Sequence, residues 1–198
     1  MTGRSTSAGY AVASDGSPIF YESWGERGSL APLLYCDGIG CDGYVWRYLR
    51  DDLGARMGLH PHYRGHGRTA APVDPTHVTI QDLADDVSCV LEDALVERAV
   101  LIGHSMGGKV AMLLAVQHPE LIHKLIVGDI GSKYYAPHHQ EILAGLNAVD
   151  FTKKPSRTEV DVIIAQYIPD FGTRQFLMKS LYWKTPEQLA FRFNLPVF

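Results

Sequence analysis

Ser105 stands in the run Gly103-His104-Ser105-Met106-Gly107-Gly108. Glycines spaced two residues either side of a hydroxyl are the feature of this chain best suited to covalent chemistry. Before them runs Ala99-Val100-Leu101-Ile102, apolar and partly β-branched, which reads as a buried strand. After them, Lys109 to His118 reads as a helix that stops at Pro119. Gly-x-Ser-x-Gly between a strand and a helix is the setting of a sharp turn that lifts the serine hydroxyl above a sheet. Such a turn strains the serine backbone, and a Cβ at Gly103 or Gly107 would collide with the neighbouring strand or helix. It also leaves the Met106 N–H at a helix N-terminus, where it can bind a developing oxyanion. The chemistry expected is attack by Ser105 on an acyl carbonyl. The plainer alternative is a Gly/Ser turn that merely joins a strand to a helix.

Other side chains with chemical potential are weaker candidates. Cys36 and Cys41 lie close to Asp37 and Asp42, but no second His/Cys pair stands at ligand spacing, which argues against a metal site. Three histidines crowd the stretch His60-Pro61-His62-Tyr63-Arg64-Gly65-His66-Gly67-Arg68-Thr69. Metal binding is one reading of them. The reading favoured is a polar loop with fixed turns, Arg64 being a buried positioning residue. The run His123 to Ile130 reads as another buried strand, which delivers Asp129 to its carboxyl end, the same sheet edge as Ser105 and Ile39.

These residues need a frame to hold them. The chain has 198 residues, 46% hydrophobic, enough for one globular body with a core. A net charge of −4 gives no reason to expect nucleic acid or an anionic membrane as partner. No apolar run is long enough to span a bilayer, and the polar start lacks a signal-peptide core. An odd number of cysteines, 3, argues against a disulfide framework and for a reducing cytoplasm.

Tyr10 to Ala13 and Ile19 to Trp24 read as a hairpin about the turn Ser14 to Pro18. Leu33 to Cys36 is a buried strand that ends in the Gly-rich loop Asp37 to Gly43, followed by a helix over Tyr44 to Leu53. Ala55 to Leu59 is a weaker strand. Thr79 with Asp82 opens a helix striped by Leu83, Val87, Val90 and Leu91. Strands alternating with helices at these lengths predict a three-layer α/β fold on a mainly parallel sheet. From Gly131 onward only helices are expected: Gln140 to Val149, one capped by the Ser156/Glu159 box, Arg174 to Tyr182, and a fourth opened by Thr185-Pro186-Glu187-Gln188.

The strand and loop Leu33 to Gly43 with Trp46, the loop Tyr63 to Thr69, the turn Gly103 to Gly108, and the step Pro119 to Ile122 into Asp129 together resemble the α/β-hydrolase superfamily, in its branch of small lidded esterases. The resemblance implies Ser105 as nucleophile, backbone N–H groups of Ile39 and Met106 as the oxyanion hole, and residues 131–198 as a helical lid beside a core of residues 1–130. It implies Asp129 as the catalytic acid, as in relatives that carry the acid after the sixth strand; a strand-end carboxylate capping the next turn is the alternative. Relatives often have His-Gly where this chain has Asp37-Gly38, which brings a carboxylate near a site meant for an oxyanion. His62 stands where an Asp is common.

The family's last strands and catalytic histidine normally follow the lid, and the resemblance implies that this chain stops within it. Of the histidines present, only His138 and His139 are candidates to approach from the lid. The implied function is hydrolysis of an ester-type bond in a small-molecule acyl substrate, with no metal or organic cofactor. The alternative is a non-catalytic or incomplete module that binds a small hydrophobic ligand or a partner. The strand ending at Asp129 would then be an exposed sheet edge, open to self-association or to a complementing C-terminal segment.

Overall fold

The computed structural model describes residues 6–53, 56–72, 74–135 and 139–197. Contacts divide the chain into two compact units, residues 1–132 and 133–198. The first is built on a six-stranded sheet: β1 (Thr6–Val12), β2 (Pro18–Trp24), β3 (Leu33–Cys36), β4 (Gly58–Pro61), β5 (Ala99–His104) and β6 (Ile122–Gly128). Their order is β1-β2-β4-β3-β5-β6. β1 and β2 form an antiparallel hairpin, and β2 also runs antiparallel to β4. β4, β3, β5 and β6 run parallel, so their carboxyl ends share one edge. The mainly parallel α/β sheet expected from the alternation of elements is the one observed.

Helices α1 (Arg47–Asp52), α2 (Ile80–Asp93) and α3 (Met106–Gln117) belong to this unit. The core between sheet and helices gathers Leu34, Leu59 and Leu101 from strands with Leu83, Val87, Val110 and Leu114 from α2 and α3. β3 and β4 are buried along their whole length, as strands covered on both faces must be; β6, read from its apolar run as buried, is instead largely exposed, because it is the last strand of the sheet. Thr79 caps α2 in a reciprocal box with Asp82. The register pairs Cys36 with Gly103 and His104 with Gly128, which aligns three loop starts side by side.

The second unit contains α4 (Gln140–Asn147), α5 (Arg157–Ala165), α6 (Phe171–Met178) and a hairpin of β7 (Leu181–Thr185) and β8 (Gln188–Phe191). Its core includes Leu146, Val160, Ile164, Leu181 and Leu189. The hairpin corrects the expectation of a fourth helix, and with it that of an all-helical segment over 131–198. Thr185-Pro186-Glu187-Gln188 is a helix-start signal in sequence, but Pro and Thr equally suit a turn. Flanks dense in β-prone residues, Leu181, Tyr182 and Trp183 against Leu189 and Phe191, decide for the strand pair. The third helix also begins earlier than its spacing suggests, because the Asp170 carboxylate caps it by accepting from Thr173 N–H at 2.6 Å.

Among the described residues, no helix is long and apolar enough to cross a membrane.

Candidate active site

The turn after β5 has the strain its sequence demands. Ser105 sits at φ 52°, ψ −120°, a conformation that a non-glycine residue holds only when its surroundings impose it. Three features impose it here. Ser105 N–H donates to Gly128 O at 3.0 Å, tying the turn to the end of β6. A Cβ on Gly103 would come within 2.5 Å of Gly107 O. A Cβ on Gly107 would run into the carbonyl oxygens of Cys36 and Asp37. Helix α3 therefore starts in contact with the end of β3, and Met106 is its first residue. The Ser105 side chain makes no capping bond, and no described residue hydrogen-bonds to its hydroxyl.

Beside this turn lies the loop that follows β3. Asp37 is 2% exposed. Its Oδ1 accepts from Trp46 Nε1 at 2.6 Å, and its Oδ2 meets His60 Nε2 at 2.7 Å. The carboxylate that the sequence places in this loop has both oxygens engaged with buried partners. Gly38 packs on the His104 ring, where a Cβ would stand 2.9 Å from Nδ1. Ile39, the residue after it, is partly exposed.

Asp129 follows β6 at φ 58°, a left-handed conformation that strains a non-glycine residue. Its side chain is 84% exposed, and its Oδ2 lies 3.7 Å from His104 Nε2. So the loop starting at Asp37, the turn at Ser105 and the strained Asp129 converge at one edge of the sheet. His139 is the N-cap of α4 in the second unit, and His138 lies outside the described residues. Sequence reasoning missed two pairings, His60 with Asp37 and His104 with Asp129. Each joins elements far apart in the chain, and no local signal marks either.

The loop after β4 is held by charge. Arg64 Nε donates to Asp86 Oδ2 at 2.8 Å, its Nη2 reaches Asp86 Oδ1, and its Nη1 meets Asp15 Oδ2 at 2.9 Å. Arg64 is buried, as a positioning residue should be, and Asp86 on α2 is 0% exposed. Burial pushes the Asp86 carboxyl up, while its bonds to Arg64 pull it down.

A metal site has two candidate donor sets. Cys36 and Cys41 do not suit one: burial pushes both thiols up to about 12, and the Asp37 carboxylate is already bonded. Glu22, His60 and His62 offer three ligand atoms within 4.8 Å of one another. However, His62 Nδ1 accepts the Arg68 N–H at 3.0 Å, so the neutral ring carries its proton on Nε2, where a metal would need a lone pair. Arg50 also stands 3.7 Å from Glu22. The donor set fits a hydrogen-bonded cluster better than a cation. Burial, with His60 alongside, lowers the His62 pKa to about 3, so that ring is neutral at ordinary pH.

A strained serine turn, an adjoining Gly-rich loop and a mainly parallel sheet define a family. The chain belongs to the α/β-hydrolase fold family, whose model matches residues 31–174. It is 35% identical to an esterase of Escherichia coli strain K12, YbfF, over 135 residues, 68% of this chain and 50% of that protein. It is 31% identical to the mouse (Mus musculus) sn-1-specific diacylglycerol lipase ABHD11 over 187 residues, 90% of this chain and 60% of that one. A solved marine microorganism esterase superposes with a TM-score of 0.81 at 27% identity, covering 90% of this chain and 69% of its own. The chain spans about half the length of the curated relatives it matches.

Proposed function

We propose that this chain belongs to a serine hydrolase that cleaves an ester-type bond in a small molecule through an acyl-enzyme. The observation that carries the reading is the Ser105 backbone at φ 52°, ψ −120°, wedged between Gly103, Gly107 and the end of β6. Such a conformation costs about 1–3 kcal/mol, which a module that only binds has no use for. Esterase and lipase names among the relatives support an acyl substrate.

In the proposed cycle Ser105 Oγ attacks the acyl carbon while a histidine takes its proton. The N–H groups of Ile39 and Met106 hold the oxyanion. Asp129, at the same edge of the sheet as Ser105, orients the histidine and stabilises its cation. The imidazolium protonates the leaving alcohol. Water, deprotonated by the same histidine, then splits the acyl-enzyme and frees Ser105. No described histidine bonds to the Ser105 hydroxyl, so the proposal assigns the base to a histidine not among the described residues. The segment after Gly131 is assigned the part of a lid, and a reducing cytoplasm fits the three free cysteines.

The same missing partner of Ser105 favours one alternative, a non-catalytic or incomplete module that binds a small hydrophobic ligand or a partner. Two measurements separate the readings: labelling by a fluorophosphonate probe and steady-state hydrolysis of p-nitrophenyl acetate, each on wild type and Ser105→Ala. The hydrolase reading expects both signals in wild type and a fall of at least about 10³-fold in the variant. A folded wild type that neither labels nor turns over supports the non-catalytic or incomplete module.

A further inference from the structure

Asp37 occupies a place that the proposed mechanism does not use, yet its carboxylate is buried and bonded through both oxygens. From the loop after β3 it reaches two other pieces of the fold, the short 3-10 turn Tyr44–Trp46 and strand β4. Asp37, Trp46 and His60 are all buried, and both carboxylate contacts are short, at 2.6 and 2.7 Å, as charge-assisted bonds are. One carboxylate thus fastens both ends of the 37–46 segment.

Between those ends the loop is folded back on itself. Cys41 N–H donates to Gly38 O at 3.2 Å, and Trp46 N–H to Gly43 O at 3.0 Å. Gly43, at φ 85°, presses on the His60 ring, where a Cβ would come within 2.5 Å of Cε1. At the other side the carbonyls of Cys36 and Asp37 abut Gly107 of α3. Ile39 is carried between these two walls.

The proton arrangement requires a carboxylate rather than an amide. Asp37 only accepts, so His60 carries a proton on Nε2 and, when neutral, a lone pair on Nδ1. His62 has the opposite face inward, with its proton on Nε2, because its Nδ1 accepts from Arg68. The two rings are 4.8 Å apart, and His60 Nδ1 and His62 Nε2 are both buried with no hydrogen-bond partner among the described residues. An Asn at 37 could keep the Trp46 bond through its oxygen. Its amide would then face the His60 Nε2–H, and moving that proton to Nδ1 would add a second buried, unsatisfied N–H beside that of His62.

We propose that Asp37 is a positioning residue, which clamps the 37–46 loop between Trp46 and His60 and thereby holds the Ile39 N–H as an oxyanion donor. The proposal rests on the reading of Ser105 as nucleophile. It is tested on the whole protein, with the base histidine in place, as Asp37→Asn, Asp37→Ala, Trp46→Phe and Ser105→Ala, each checked for folding by circular dichroism. The rates compared are fluorophosphonate labelling and kcat and KM for p-nitrophenyl acetate.

An oxyanion donor acts on the transition state, so the expected loss falls on kcat. Asp37→Asn and Asp37→Ala should lower kcat by about 10–100-fold with KM within about twofold. Trp46→Phe keeps the His60 bond and should lower kcat by about 3–10-fold, a fraction of that loss. Should the Asp37 variants fail to fold, Trp46→Phe decides. Folded variants with kcat unchanged, in a wild type whose labelling depends on Ser105, overturn the positioning role and leave the Ser105 reading standing. A folded wild type that neither labels nor turns over overturns both.

Discussion

Residues 6–132 place Asp37, His60, His62, Arg64, His66 and Asp86 out of water around the carboxyl edge of their sheet, whereas the buried polar side chain of residues 133–198 is Ser180 alone among the described residues. The second unit instead packs aliphatic side chains of its helices and hairpin, such as Val160, Ile164, Leu181 and Leu189. Backbone strain divides in a related way. Ser105 and Asp129 sit at positive φ beside the candidate site, while Leu95 just after α2 and Lys154 of the second unit do so only at exposed element ends. Burying charge stabilises little, because desolvation offsets the attraction. What it does supply is fixed geometry: loops bound by Arg64 or Asp37 have one arrangement that satisfies every charged atom. The difference teaches that polar burial in this chain follows the placement of loops, not the need for a core.

Breaking that arrangement should have the largest effect on stability. Arg64→Ala leaves the Asp86 carboxylate buried without its partner, and about 3–5 kcal/mol should be lost in urea denaturation. Replacing both, as Arg64→Met with Asp86→Leu, should recover most of that loss. If the double variant is as unstable as the single one, the pair supplies stability and not only placement, and the contrast between the units fails. The matching test in the second unit is Ile164→Ala. It removes a fully buried side chain with no polar partner to strand, so the cost is that of a cavity, about 2–5 kcal/mol.

The next effect depends on pH. His62 is neutral in the fold, with its pKa lowered to about 3 by burial, against 6.5 for the unperturbed ring. The unfolded chain therefore binds a proton below pH 6.5 that the folded chain refuses until about pH 3. Stability from this group is complete above pH 6.5 and falls with acid, at about 1.4 kcal/mol per pH unit within that window. His62→Asn puts a side-chain oxygen where Nδ1 now accepts from Arg68. It should flatten the pH dependence of thermal unfolding between pH 6.5 and 4 by one proton. An unchanged slope would show that His62 is protonated in the fold.

How much of this could be read from sequence depends on how far apart the partners lie. The turn at Ser105 is legible because its glycines, strand and helix are contiguous, and both helix caps because three residues suffice to form one. The alternation of strands and helices gave the parallel sheet. The Asp37–His60 clamp was not legible: 23 residues separate the pair, and only tertiary pairing brings β4 beside β3. Nor was the strain at Asp129, since Asp tolerates many conformations and its φ is set by what surrounds it. The β7–β8 hairpin was misread because Thr-Pro-Glu-Gln opens a helix or a turn with equal local logic, and packing of the aromatic flanks settles which.

The two capping boxes allow the smallest and cleanest comparison of the units. Thr79 accepts from Asp82 N–H at 3.2 Å at the start of α2, and Ser156 from Glu159 N–H at 3.3 Å at the start of α5. In both, the acidic side chain returns a bond to the cap's own N–H, at 2.7 Å in each case. Thr79→Ala and Ser156→Ala should each cost about 1 kcal/mol, since the motif is local and exposed in either setting. Hydrogen exchange should quicken at the first-turn amides of α2 in one variant and of α5 in the other. A loss several times larger for Thr79→Ala would mean that its cap also supports the polar core behind α2, through the Asp86 that α2 carries to Arg64. Equal losses would mean that the units differ in what they bury and not in how their helices begin.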